Sequence, residues 1–105
     1  MKKKRLFYVS HPYGGKKENK EAVQSIIDSL KDAFDDSVDF VSPIHVLGPL
    51  YHMIPDIDGL NLCLSLLDQC ECIVLCGDWQ HSRGCMAEYG YAMAKGILCI
   101  GQVKQ

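Results

Sequence analysis

The chain has 105 residues, a mass of 11.8 kDa and a formal net charge of −2. This length fits one domain, residues 1–105, built around a single core. The near-neutral charge and the 48% apolar content argue against nucleic acid or an anionic membrane surface as a partner. No apolar run approaches the roughly 18 residues of a membrane span, and the N-terminus has no signal-peptide core, so we expect a cytoplasmic protein.

Six cysteines raise the question of a metal site or a disulfide framework. The sequence contains no Cys-x-x-Cys pair, and no histidine lies at ligand spacing from a cysteine. We therefore expect reduced, mostly buried thiols, and neither a metal nor another cofactor.

Apolar and amphipathic segments alternate along the chain. Residues 6–10 predict a first strand that ends in the Gly-Gly loop 11–15, and residues 17–34 predict an amphipathic helix. A short second strand is predicted over residues 37–42. Residues 43–58 show no clear periodicity and predict an irregular connection of the kind that covers sites.

The second half of the chain continues the alternation. A helix from about Gly59 to Gln69 is apolar nearly all round, which indicates burial on more than one side and is compatible with a subunit contact. Residues 71–76 are apolar on both faces, as in a central parallel strand, and residues 97–101 supply the last strand. The order predicts an α/β fold with a parallel sheet of four to five strands and helices on both faces.

The stretch Gly77–Gly96 carries the main candidate site. It begins at the carboxyl end of a strand, where α/β folds bind ligands. Ser82 is the natural N-cap of the helix that follows, and Gly84 lets a ligand approach the unpaired N–H groups of the first turn. A capping box would place its acid at Cys85, so capping does not explain Glu88. Glu88 is either a solvated helix residue or a carboxylate aimed at a ligand.

Three segments together resemble a known family. They are Tyr8–Gly15, Ser42–His45 and Gly77–Gly96, the last with the spacing Gly-x-Trp-x-x-Ser-x-Gly-x-x-x-Glu. They resemble the nucleoside 2-deoxyribosyltransferase superfamily, in particular a small branch related to the deoxynucleoside 5′-monophosphate N-glycosidases. The resemblance implies a flavodoxin-like (Rossmann-like) three-layer fold, and cleavage or transfer of the N-glycosidic bond of nucleosides or their 5′-monophosphates. It also implies a homo-oligomer with shared sites.

The resemblance also implies roles for individual residues. Glu88 would be the nucleophile that attacks the anomeric carbon, and Tyr8 would orient its carboxylate. Ser82 stands where the transferases have aspartate and the monophosphate hydrolases have serine, which favours a phosphorylated ligand. The other expected substrate-binding residues are Ser10, Gly14, Gly15, His45, Asp78, Trp79, Gly84 and Cys85. Trp79 could equally anchor a loop or a subunit contact, and His45 could be structural.

One position departs from the family pattern. The family has an aspartate on the helix before the third strand, where it handles the leaving base or the water, and this chain has Cys63 at the matching place. A thiol is a poor proton donor at neutral pH compared with a carboxylic acid. Asp58, Asp68 or Asp78 are possible substitutes. The alternatives to an active enzyme are a nucleotide-binding module without catalysis and a purely structural subunit.

Overall fold

The computed structural model describes residues 5–34 and 36–101 of the chain. Within these ranges four strands form one parallel sheet: β1 (Arg5–Ser10), β2 (Val38–Val41), β3 (Cys72–Leu75) and β4 (Leu98–Gly101). Their order is β2-β1-β3-β4, and Tyr8 in β1 pairs with Val41 on one side and Ile73 on the other. The predicted α/β class with a parallel, flavodoxin-like sheet is confirmed.

Helices cover both faces of the sheet. They are α1 (Lys17–Ala33), α2 (Pro43–Leu47), α3 (Asp56–Leu67) and α4 (Arg83–Lys95), with 3₁₀ turns at Gly48–Leu50 and Trp79–His81. Helix α1 packs on one face, and α3 and α4 pack on the other. Among the described residues, no helix combines the length and the apolar content needed to cross a membrane.

The two-residue period of β1 decides which side chains meet which helices. Phe7 and Val9 belong to the core under α1, whereas Tyr8 belongs to the core under α3 and α4. Ser10 lies two residues after Tyr8 and therefore points to the same face. The strand thus places two hydroxyl groups toward α4.

The predicted irregular connection over residues 43–58 is wrong in its first half, where α2 and a 3₁₀ turn form. Ser42 caps α2, because its Oγ accepts a hydrogen bond of 3.3 Å from the backbone N of His45. Pro43 at the first helical position suits a helix start. A helix of five residues is too short to show a periodic pattern, so only these local signals could have revealed it.

Helix α3 also differs from its prediction. It begins at Asp56, three residues before the expected Gly59, because Pro55 occupies the N-cap and the acidic Asp56 and Asp58 suit the first turn. Within residues 5–34 and 36–101, most apolar side chains of α3 stay at least partly exposed, since Leu67 is the one fully buried residue of α3 and Ile57 is 62% exposed. The exposed side of α3 stays available for a contact outside the chain.

Candidate active site

A cleft opens at the carboxyl edge of the sheet, between the loops that follow β1 and β3. The chain leaves β1 for α1 on one face and leaves β3 for α4 on the other, so these loops diverge and leave a crevice. The cleft has a volume of about 280 Å³ and is lined by Pro12, Tyr13, Gly14, Lys16, Asn19, Asp78, His81 and Ser82. Two segments singled out in the sequence therefore meet here.

Glu88 is a buried carboxylate held by neutral donors. Its exposed fraction is 6%. The Tyr8 hydroxyl donates to Oε2 at 2.5 Å, and the Ser10 hydroxyl donates to Oε1 at 2.7 Å. The Cys63 thiol lies close enough to Glu88 and Tyr8 to affect the pKa of each. The alternative of a solvated helix glutamate is wrong.

Burial dominates the acid–base properties of this cluster. It raises the pKa of Glu88, and the hydrogen bonds from Tyr8, Ser10 and Cys63 only partly oppose that shift. Burial and the neighbouring Glu88 charge raise the pKa of Cys63 to about 11 and move the pKa of Tyr8 far above its usual range. Tyr8 and Cys63 therefore remain protonated donors at neutral pH.

The position of Glu88 in α4 follows from helical spacing. Cys85, Glu88 and Ala92 recur at intervals of three and four residues and form the buried face of the helix. Met86 and Met93, which lie seven positions apart in α4, are both exposed. The apolar repeat therefore marks the outer face of α4, and the carboxylate lies on its inner face.

Ser82 connects the cleft to the buried cluster. Its Oγ accepts a hydrogen bond of 3.3 Å from the backbone N of Cys85, which confirms the predicted N-cap. Burial raises the pKa of the Cys85 thiol, and the nearby Ser82 and Ser10 hydroxyls partly oppose that shift. Ser82 in the cleft wall and Ser10 beside Glu88 therefore both lie close to Cys85. All six cysteines are free thiols, and Cys63 and Cys85 lie at this site.

The glycines expected near a phosphate take different positions. Gly14 has a left-handed backbone (φ 59°) and lines the cleft opposite Ser82. Gly15 packs against Tyr51 and His52 and lies outside the cleft lining. Gly84 is exposed in the first turn of α4, where an added Cβ would meet open space.

Sequence reasoning missed several residues of the cleft wall. Lys16 brings a positive charge, and its place directly after the Gly-Gly turn was the available signal. Tyr13 and Asn19 form one unit, because the Asn19 amide donates to the Tyr13 carbonyl at 2.8 Å. His81 lies in the wall with its Nδ1 2.7 Å from Asp78 Oδ1. These contacts bring together residues whose roles cannot be read from periodicity.

Other candidate residues take structural positions. The Trp79 ring packs on Tyr89 with a centroid distance of 5.3 Å, which fits the loop-anchor alternative. His45 Nδ1 lies 2.8 Å from Ser42 Oγ, and burial followed by the charge of Lys20 lowers its pKa.

The resemblance led us to expect an aspartate where this chain has Cys63. The three aspartates considered as its substitutes have different surroundings in the structure. Asp68 accepts hydrogen bonds of 2.7 Å from the Tyr91 hydroxyl. Asp58 is exposed in the first turn of α3. Asp78 is the candidate that lines the cleft.

The geometry can now be compared with known proteins. The DUF4406 family, described as a domain of unknown function, matches this chain over residues 5–100. The chain belongs to this family. A solved 2-desoxiribosyltransferase from Leishmania mexicana is similar to this DUF4406 domain with a TM-score of 0.63 and 19% sequence identity. The similarity covers 92% of this chain but 63% of that one, so the domain spans less than two thirds of the transferase. No functionally curated protein matches the sequence.

The resemblance inferred from the motifs is thus confirmed for the fold. At 19% identity, the similarity establishes a shared flavodoxin-like architecture for this DUF4406 domain and says nothing by itself about a reaction.

Proposed function

We propose that this domain cleaves or transfers the N-glycosidic bond of nucleosides or their 5′-monophosphates, with Glu88 as the nucleophile and Tyr8 as the residue that orients it. One observation carries the proposal: a buried carboxylate accepts hydrogen bonds from two hydroxyls beside the cleft. This cleft lies between the loops that follow β1 and β3, where the chain turns to opposite faces of the sheet. The name of the structurally similar Leishmania protein supports a deoxyribosyl group as part of the ligand.

The geometry of Glu88 suits nucleophilic attack. Each carboxylate oxygen can accept two hydrogen bonds, and Tyr8 and Ser10 supply one to each, so a lone pair remains for the sugar. Burial removes water from the carboxylate, and the two hydroxyls restrict its rotation. Attack on the anomeric carbon would give a glycosyl ester, and water or a second base would then resolve it with retention of configuration.

The cleft wall suits the phosphate of a 5′-monophosphate. Ser82, the Gly14 turn and the positively charged residue Lys16 line it together, and α4 begins directly after Ser82. Asp78 adds negative charge, but its Oδ1 is in contact with His81. We propose that the phosphate lies between Gly14 and Ser82, and that the sugar extends toward Glu88.

We also propose that the domain acts as a cytoplasmic homo-oligomer. Exposed apolar side chains on the two helices of one sheet face support this proposal: Ile57 and Leu62 on α3, and Met86 and Met93 on α4. A second copy that covered this face would remove them from water.

A second candidate function is a nucleotide-binding module without catalysis. The contact of Cys63 with Glu88 favours it, because the position that holds a carboxylate in the family holds a thiol here. This module would bind nucleotides through the same cleft without releasing a base.

A direct assay separates the two functions. The purified protein is incubated with nucleosides and 5′-monophosphates, and free base is measured by chromatography. We expect base release that Glu88→Gln abolishes, and acid-quenched wild-type protein with the mass of one added sugar. The control Glu21→Gln, at an exposed position of α1, should retain full activity. Saturable binding in calorimetry without base release would instead establish the binding module.

A further inference from the structure

The donors around Glu88 include no group suited to protonate a leaving base. Among the residues that the structure describes, Tyr8 and Ser10 donate hydrogen bonds to the carboxylate, and the Cys63 thiol lies beside it. Burial raises the pKa of Tyr8 and of Cys63, so neither releases its proton readily at neutral pH. A general acid works best when its pKa lies near the working pH. The Cys63 thiol, with a pKa of about 11, lies well above that range.

The electrostatics of Glu88 point the same way. Within residues 5–34 and 36–101, no Lys, Arg or His side chain forms an ion pair with Glu88. A buried carboxylate without a cation is costly, and a positively charged ligand would relieve this cost. The site therefore favours a substrate that brings its own positive charge next to the anomeric carbon.

On the basis of the proposed function, we infer that the preferred substrates are N-glycosides whose base is already cationic, such as pyridinium or N7-alkylated purine nucleotides. An electron pair of Glu88 forms the bond to the anomeric carbon as the bond from that carbon to the base nitrogen breaks. The released pair neutralises the positive ring, so the base leaves without accepting a proton. Water then attacks the anomeric carbon of the ester, the pair of the broken bond returns to Glu88, and a proton goes to solvent.

The test compares nucleotides whose bases are similar in structure but differ in charge. Guanosine 5′-monophosphate is compared with its 7-methyl derivative, and nicotinamide mononucleotide serves as the pyridinium probe. Each probe is tested in its ribosyl and its 2′-deoxyribosyl form. We expect kcat/KM for the cationic probes to exceed that for guanosine 5′-monophosphate by more than about 100-fold, the usual contribution of a general acid. Uncatalysed release is subtracted, and the cationic reaction should show a solvent isotope effect near unity.

Variants at Cys63 separate leaving-group charge from intrinsic reactivity. Cys63→Asp should accelerate release from guanosine 5′-monophosphate at least about 10-fold without accelerating the cationic probes, because only the neutral base needs an acid. Cys63→Ser is the matched control and should leave the preference unchanged. The isotope effect on the wild-type protein keeps the test decisive if Cys63→Asp fails to fold.

The base-release assay distinguishes failure of this inference from failure of the proposed function. Glu88-dependent release of neutral and cationic bases at similar kcat/KM would overturn the inference and retain the proposed function. It would point to the Asp78–His81 pair in the cleft wall as the acid, to be tested by His81→Asn. No Glu88-dependent release from any probe would overturn both.

Discussion

The buried environment of Glu88 lowers the free energy of unfolding when the carboxylate is charged. Its pKa is raised from 4.5 by burial, so the folded state disfavours the charged form. A raised pKa means that the native state binds more protons than the unfolded chain at pH values between the two pKa values. The stability that the neutral form provides is therefore complete below the unfolded pKa and is lost as the pH rises through the folded pKa.

Replacing Glu88 by Gln should remove this pH dependence. We expect the free energy of unfolding of Glu88→Gln to exceed that of the wild type at pH 7, with a difference that grows from pH 4.5 upwards. Urea unfolding at several pH values measures it. Glu21→Gln, an exposed control, should follow the wild-type curve. Parallel curves for the wild type and Glu88→Gln would show that Glu88 ionises as easily in the folded state as in the unfolded one.

The Tyr8 hydroxyl should stabilise the charged carboxylate. Tyr8→Phe removes a donor at 2.5 Å from the buried carboxylate, and a hydrogen bond to its charged form is worth about 1.5–3 kcal/mol. The loss should be much smaller when Glu88 is already Gln, and a double-mutant cycle measures this coupling. Equal losses in both backgrounds would assign the cost to packing of the ring and not to the hydrogen bond.

At the scale of elements, Ser82 combines a cap with a wall of the cleft. Ser82→Ala removes the N-cap of α4 and should cost about 0.5–2 kcal/mol of unfolding free energy. Ser82→Asp keeps a capping oxygen but places negative charge beside the proposed phosphate. We expect near-normal stability in urea and weaker binding of a 5′-monophosphate than of its nucleoside. Unchanged monophosphate binding in Ser82→Asp would place the phosphate elsewhere.

Substitutions at two glycines separate the stability cost of backbone strain from the cost of a steric clash. Gly96 ends α4 with φ 73°, and an added Cβ there meets nothing within 4 Å, so Gly96→Ala should cost about 1–2 kcal/mol from backbone strain. Gly77 follows β3 with φ 61°, and a Cβ there would lie 2.7 Å from His11 Nε2. Gly77→Ala should therefore cost more than Gly96→Ala in urea unfolding. Equal costs would mean that His11 moves aside freely.

At the scale of the whole molecule, the exposed apolar side chains of α3 and α4 predict self-association. Met93 is 59% exposed, and a second copy that buried it would release apolar surface from water. We expect a dimer or a larger homo-oligomer in sedimentation velocity, and a shift toward monomer in Met93→Glu. Ser29→Glu, on the exposed side of α1, should not change the distribution. A wild-type monomer at high concentration would contradict the prediction.

Much of the architecture was predictable because its signals are local. The strands β1 and β3, the long helix α1 and the Ser82 cap of α4 follow from apolar period and capping chemistry within about 20 residues of chain. The short helix α2 and the early start of α3 were not predicted, because one turn of helix has no measurable period. The strand order β2-β1-β3-β4 was not predicted, because right-handed crossovers fix which face each helix covers but not which strands become neighbours.

By itself, the sequence determined which residue types were available for a site: a glutamate in α4, a tyrosine and a serine on one face of β1, and a cysteine, Cys63, in α3. Only the tertiary structure decided that Glu88 is buried and that Tyr8, Ser10 and Cys63 surround it. The reason is distance along the chain. Tyr8 and Glu88 are separated by 80 positions, and their contact depends on which strands are neighbours and which helix covers which face.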